Sequence, residues 1–163
     1  MGIDPGLATI GFGVIEKNDN KVKLVDYGIV STPAGMPLPK RLSIIYDDLS
    51  TLIDQHKPDC MAFEELFFCR NVTTALSVGH ARGVSVIAAN NKLGCDVLYE
   101  YTPMQVKQAV CGYGRADKLQ VQQMVKILLK MDHLPKPDDA ADALAVALCH
   151  SQASQLAESF KIQ

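Results

Sequence analysis

Residues 1–32, MGIDPGLATIGFGVIEKNDNKVKLVDYGIVST, decide the fold. Met1 to Asp4, Thr9 to Lys17 and Lys21 to Thr32 are rich in β-branched and apolar residues, with turn formers at Asp4-Pro5-Gly6 and Asn18-Asp19-Asn20 between them. They predict three strands joined as a meander. Immediately downstream the period changes. Leu42, Ile45, Leu49 and Ile53 recur at helical spacing within Pro39 to Lys57, Pro58-Asp59 stops the helix, and the apolar run Cys60 to Phe63 predicts a fourth strand. A helical crossover between strands one and four is right-handed and favours their lying parallel and adjacent in the middle of the sheet. A second helix is expected from about Val72 to Lys92 and a fifth strand from Cys95 to Tyr101. The chain from Pro103 onward is then helical, broken at Gly112, Gly114 and Pro135 to Pro137. The fold class is α/β, a five-stranded mixed sheet flanked by helices.

No repeat, low-complexity tract or linker divides the chain, so residues 1–163 are expected to form a single domain. With 48% hydrophobic and 21% charged residues it has the composition of an ordinary globular protein. A chain of this length buries roughly 70% of its unfolded surface and needs no covalent staple. Cys60, Cys69, Cys95, Cys111 and Cys149 are odd in number and never form a Cys-x-x-Cys pair, which indicates reduced thiols and argues against zinc. No apolar run reaches the roughly 18 residues of a membrane span, and no secretory leader is recognisable. The expected location is the cytoplasm, away from membranes.

Net charge is −2, the wrong sign for a general nucleic-acid binder, but it is unevenly distributed. Between Thr102 and Lys130 five basic residues, Lys107, Arg115, Lys118, Lys126 and Lys130, face one acid, Asp117. Either a solvated helical face or a phosphate-binding strip would have this pattern.

The acids carry the sharper signal. Asp4 closes the first predicted strand and Glu64 the fourth, so two carboxylates distant in sequence should meet at the carboxyl edge of the sheet, where open α/β sheets bind ligands. Adjacent Glu65 points to the opposite face, because strand side chains alternate. Pro137 to Cys149 reads as a helix with an acidic first turn and an apolar body in which Asp142 is the one polar residue from Ala140 to Cys149. A buried carboxylate without a partner costs several kcal/mol or takes up a proton, so a cation is expected beside it. Asp139, three residues earlier, shares its face. Asp138, four earlier, competes for the same place, or caps the helix. Carboxylates without histidine or cysteine make an all-oxygen site suited to Mg²⁺ or Mn²⁺, and a pair of such ions suits phosphodiester hydrolysis.

Gly2-Ile3-Asp4-Pro5-Gly6 with Thr9-Ile10-Gly11-Phe12-Gly13-Val14, Ala62-Phe63-Glu64 with Phe67, Gln105-Val106-Lys107-Gln108, and Ala140-Ala141-Asp142-Ala143-Leu144-Ala145 together resemble the RuvC family of Holliday junction resolvases, in order and across nearly the whole chain. The resemblance implies a ribonuclease-H-like fold and a homodimer that nicks two strands of a four-way DNA junction symmetrically, leaving 5′-phosphate and 3′-hydroxyl ends. It further implies cooperation with the RuvA and RuvB branch-migration proteins in recombination and repair. Carried over position by position, it makes Asp4, Glu64, Asp139 and Asp142 ligands of two Mg²⁺ ions, with Mn²⁺ as a substitute. Lys107 and Lys118 then stand near the scissile phosphate. Phe67 becomes a wedge against an unpaired base, and Arg70 and Arg115 become DNA contacts. Ala75, Gly79 and Gly83, at four-residue spacing in the second helix, admit a close neighbour that is either this chain or a second subunit; the resemblance favours a dimer seam. The chain departs from the family in opening only three residues before Asp4, so strand one is expected to be short or to begin upstream, and in lacking a basic tail beyond Phe160. Two other functions compete. A ribonuclease-H-like enzyme cutting RNA in RNA–DNA hybrids would share the carboxylates, and a junction-binding scaffold would need none of them.

Overall fold

In β1 (Gly2–Asp4) and β4 (Met61–Glu64) alternate side chains separate two cores. Ile3, Met61 and Phe63 are fully buried in one hydrophobic cluster, while Ala62 belongs to another. The computed structural model describes residues 1–19, 21–66, 72–153 and 158–162, without the side chains of 72–74. Among these, β2 (Thr9–Asn18), β3 (Lys21–Ser31) and β5 (Leu98–Tyr101) complete a sheet of order β3-β2-β1-β4-β5. The meander is antiparallel, and β1 pairs β4, and β4 pairs β5, in parallel. The crossover thus places strands one and four side by side, as the sequence predicts.

Helices α1 (Leu38–His56) and α2 (Val72–Leu93) cover one face, with Ile45, Leu49 and Ile53 of α1 buried against the sheet. Against the other face pack α3 (Pro103–Cys111), α4 (Lys118–Leu128) and α5 (Asp138–Gln152). Helices α3 and α4 each begin with a capping box. The Thr102 hydroxyl accepts from the Gln105 amide and Asp117 accepts from that of Gln120, while each glutamine side chain accepts the cap residue's N–H in return. Such reciprocal bonds satisfy two otherwise orphaned donors and set the first residue of the helix firmly.

One boundary differs from expectation. Cys95 to Val97 form a single 3-10 turn, and β5 starts only at Leu98. Its four residues pair one-to-one with the four of β4, Met61↔Leu98 through Glu64↔Tyr101, so the three residues before Leu98 have no β4 partner to hold them extended.

The approach of α5 to the sheet is unusually close, and glycine makes it so. A Cβ added to Gly2 would collide with the backbone of Ala143 and Ala147, and one on Gly11 with the carbonyl of Asp139. One on Gly13 would lie 2.9 Å from Leu144 Cα. On the helix side the facing residues are mostly alanine, and Ala140, Ala141, Ala143 and Ala145 are all buried. Replacing Gly11 by Ala should therefore push the start of α5 away and destabilise the protein by roughly 1–3 kcal/mol in urea titration. Gly28→Ala, whose new carbon would meet only the Phe12 ring at 3.0 Å, should cost less.

Candidate active site

Asp4 is the last residue of β1 and pairs with Gly11 of β2, the residue that touches the Asp139 carbonyl. Glu64 is the last residue of β4, one step beyond the Ile3↔Phe63 pair, and so lies level with Asp4. Their side chains are hydrogen-bonded to each other. From α5, Asp142 acts electrostatically on Asp4 and Glu64, and Asp139 acts on Asp4 and Asp142. The strand edge and the helix start thus bring the four predicted carboxylates within electrostatic reach of one another.

Crowding sets their chemistry. Burial first, then Glu64, Asp142 and Asp139, push the Asp4 carboxyl up to about 8. Glu64 is raised by burial and then by Asp142, against the pull of its bond from Asp4 and of Lys107 and Lys118. Asp142 is raised by burial, with Lys118 opposing. Asp4 and Glu64 are therefore both held above the ordinary carboxylate range, since like charges this near cannot both ionise cheaply. Among the described residues no three acids, histidines or cysteines stand close enough to form a ready-made metal cage. Asp142 faces Lys118, whose Nζ is 3.1 Å from its Oδ2, while Asp4 interacts with Glu64.

The two acids at the head of α5 separate here. The helix is capped at Pro137 with no side-chain bond, so Asp138 is not its cap. Asp138 is exposed, and its carboxylate accepts a hydrogen bond from Gln122 Nε2 at 2.9 Å and faces Lys118 Nζ at 3.4 Å. Asp139 is half-buried and is the one that raises Asp4.

Glu64 and Asp142 open into a cleft of about 260 Å³ whose wall also holds Lys107, Lys118, Pro103, Val106, Val121 and Ala145. Both predicted lysines are thus beside the carboxylates, each carried on a helix with a capping box. Larger hollows elsewhere contain no such cluster; one of about 750 Å³ lies between β3 and the end of α4. Arg115 is exposed and lines a different groove, with Tyr101, Met104, Gln108 and Phe160. Phe67 and Arg70 lie outside the described residues. Glu65 is exposed, away from the cleft. Sequence reasoning passed over Gln122, whose buried amide grips Asp138; its only sequence signal is its position one turn after Lys118.

This sheet order with carboxylates from two parallel strand ends and one apolar helix defines a ribonuclease-H-like nuclease. A protein-family model described as crossover junction endodeoxyribonuclease RuvC matches residues 1–150, and the chain belongs to that family. It is 55% identical over 163 residues to the crossover junction endodeoxyribonuclease RuvC of Alkaliphilus oremlandii, covering 100% of this chain and 98% of the relative. Among solved structures, Thermus thermophilus RuvC in complex with a Holliday junction substrate superposes with a TM-score of 0.90 at 35% identity, covering 99% and 97% of the two chains. The yeast mitochondrial Holliday junction resolvase Ydc2, at 14% identity and a TM-score of 0.63, shares the fold.

A raised carboxyl pKa has a definite sign in stability. Between the ordinary value of 3.8 and about 8 the folded state holds a proton on Asp4 that the unfolded chain releases, so stability falls as pH rises through that window, by up to about 1.4 kcal/mol per unit. In EDTA, Asp4→Asn should melt close to the parent at pH 5 and several degrees above it at pH 8; an advantage that does not grow with pH would show the carboxylates to be uncoupled.

Proposed function

We propose that this chain resolves four-way DNA junctions by hydrolysing one phosphodiester in each of two symmetric strands. The observation that carries the reading is the meeting of Asp4, Glu64, Asp139 and Asp142 beside Lys107 and Lys118, in a chain so similar over its full length to crossover junction endodeoxyribonucleases. Membership of this family implies dependence on a divalent metal. The donor set fits one: four carboxylates without histidine or cysteine suit a hard cation, and a cluster in which burial and acidic neighbours raise Asp4 and Glu64 gains from positive charge. Two Mg²⁺ ions, or Mn²⁺ in their place, would be held by Asp4, Glu64, Asp139 and Asp142. When bound, such ions lower the pKa of the attacking water and offset charge on the phosphate.

The chain's own residues do the rest. Asp4 and Glu64, raised by burial and by their acidic neighbours, would be ionised more readily with positive charge beside them. Lys107 and Lys118 hold ammonium groups at the wall of the cleft, where they pair with the non-bridging oxygens and neighbouring phosphates. Asp139 and Asp142, anchored on a helix that cannot slide over its glycine seats, keep the ligand geometry from drifting. Phe67 stacks on an unpaired base near the crossover and Arg70 grips the adjoining backbone, roles that rest on the family likeness and on their place just after Glu64. Arg115, in the neighbouring groove, contacts a junction arm.

A homodimer places two such clefts against two strands of like polarity. Helix α2 supports it: Ala81, Ser85, Ala88 and Ala89 are buried within the chain, whereas Leu76 and Ile87 are 60% and 47% exposed and an added Cβ on Gly83 would meet nothing. At Gly83 the helix surface is thus open for a second subunit, while Gly79 faces Leu66 of this chain at ordinary contact distance. The enzyme works in the cytoplasm as a single domain spanning residues 1–163, together with RuvA and RuvB. Among the described residues no helix is long and apolar enough to cross a membrane.

On a synthetic mobile junction with Mg²⁺, Asp142→Asn should retain binding and lose cleavage by at least about 100-fold; unaltered cutting, or a preference of the parent for RNA–DNA hybrids, would overturn the assignment. Ile87→Glu should convert the protein to monomers in light scattering after gel filtration, whereas a dimer that survives it would move the seam elsewhere.

A further inference from the structure

Helices α4 and α5 face each other through a ladder with two rungs. Lys118 and Gln122, four residues apart on α4, look across at Asp138 and Asp142, four residues apart on α5. Lys118 Nζ lies 3.1 Å from Asp142 Oδ2 and 3.4 Å from Asp138 Oδ2, and Gln122 Nε2 donates to the other oxygen of Asp138 at 2.9 Å. The Lys118 side chain is 51% exposed, so its long flexible stem is only partly confined by the cleft and its ammonium is free to choose among nearby partners. Gln122, by contrast, is buried, which fixes its amide. The order of restraint is therefore from Gln122 to Asp138 to Lys118.

We propose that Asp138 and Gln122 are positioning residues that give Lys118 a resting place outside the carboxylate cage, and so hold it beside the cleft when Asp142 is occupied by a divalent cation. The inference rests on the reading of Asp142 as a metal ligand. In the metal-free protein Lys118 divides itself between the two aspartates. An incoming cation must displace its ammonium from Asp142. Asp138, exposed and gripped by Gln122, already lies 3.4 Å from the same Nζ and keeps it there, with Lys118 still lining the cleft beside Glu64 and Lys107. Without Asp138 the ammonium has Asp142 as its one anionic partner on α5 in the described contacts and competes with the cation for it.

Mn²⁺ titration calorimetry on the junction-free, full-length protein tests this as a double-mutant cycle. Asp138→Asn, an exposed and conservative change, should weaken Mn²⁺ binding by about two- to fivefold, the range of a solvent-exposed ion pair. In a Lys118→Gln background the same change should have no further effect. An equal loss in both backgrounds would mean that Asp138 acts merely as a distant negative charge, and no loss in either would mean that it does not hold Lys118; each overturns the proposal. Asp142→Asn separates the two levels of inference. If it leaves Mn²⁺ binding intact, the metal-ligand reading fails; if it abolishes binding while the Asp138 cycle is additive, only the positioning role fails. Junction cleavage supplies a second readout: Asp138→Asn should raise the Mg²⁺ concentration for half-maximal cutting, with Asp138→Glu restoring it.

Discussion

Helix α5 lies on β1 and β2 with only a thin side-chain layer between them, and the rest of the site depends on that contact. Ordinary helix–sheet packing keeps backbones apart by the thickness of interdigitating side chains. Here Gly2, Gly11 and Gly13 remove one half of that layer and a run of alanines thins the other. The gain is positional. The Asp139 backbone carbonyl sits against the very residue that pairs with Asp4, so two acids more than 130 positions apart come within electrostatic reach of each other. The arrangement is also stiff, because a helix seated in backbone notches cannot rotate or slide without collision.

That stiffness is what lets the protein keep an electrostatically unfavourable cluster. Acids converge on a partly buried edge, and burial and neighbouring carboxylates raise the cost of ionising Asp4, Glu64 and Asp142. The fold relieves this crowding in three ways: the Asp4 carboxyl is held up to about 8, an ammonium is laid against Asp142, and Asp138 is exposed to solvent. Each device is reversible by a cation. Stability is thereby set against function in the usual way of active sites, with the apolar body of α5 supplying the compensating burial.

Most of this architecture was legible in the sequence because it follows from periods. Alternation in residues 1–32 and helical spacing in 39–57 were enough to give the sheet, the crossover and the adjacency of Asp4 and Glu64. An aspartate in an otherwise apolar helix was enough to flag Asp142. What spacing left open was decided by contacts that no local pattern encodes. Asp138 and Asp139 are both on the right face at i−4 and i−3, and it is the seat at Gly11 together with the grip of Gln122 that assigns them different work. Cys95 to Val97 look like strand residues but lack a β4 partner, a matter of β4's length rather than of their own propensity. Arg115 shares a basic segment with Lys107 and Lys118, yet the loop between α3 and α4 turns it into another groove. His150, unremarked in the sequence, bridges Cys60 Sγ at 3.1 Å and the Tyr101 hydroxyl at 2.8 Å, far down α5 from its acidic start; burial lowers it to about 4 and keeps it neutral.

The basic residues complete the logic of an acidic protein acting on DNA. A net charge of −2 would repel a polyanion if it were spread evenly, but the acids at the sheet edge are in part neutralised by their own proton and by Lys118. Lys107 and Lys118 come from different helices, each started by a reciprocal capping box, so their Cα positions are as firmly set as those of the strand-end carboxylates. Only their stems are free, and for Lys118 even that freedom is bounded by two aspartates one helical turn apart. Attraction for phosphate and repulsion within the cage are therefore arranged on opposing walls of one narrow cleft. A divalent cation held by Asp142 would compete with the Lys118 ammonium for that carboxylate, so on the proposed reading metal binding and the availability of Lys118 for phosphate would be linked.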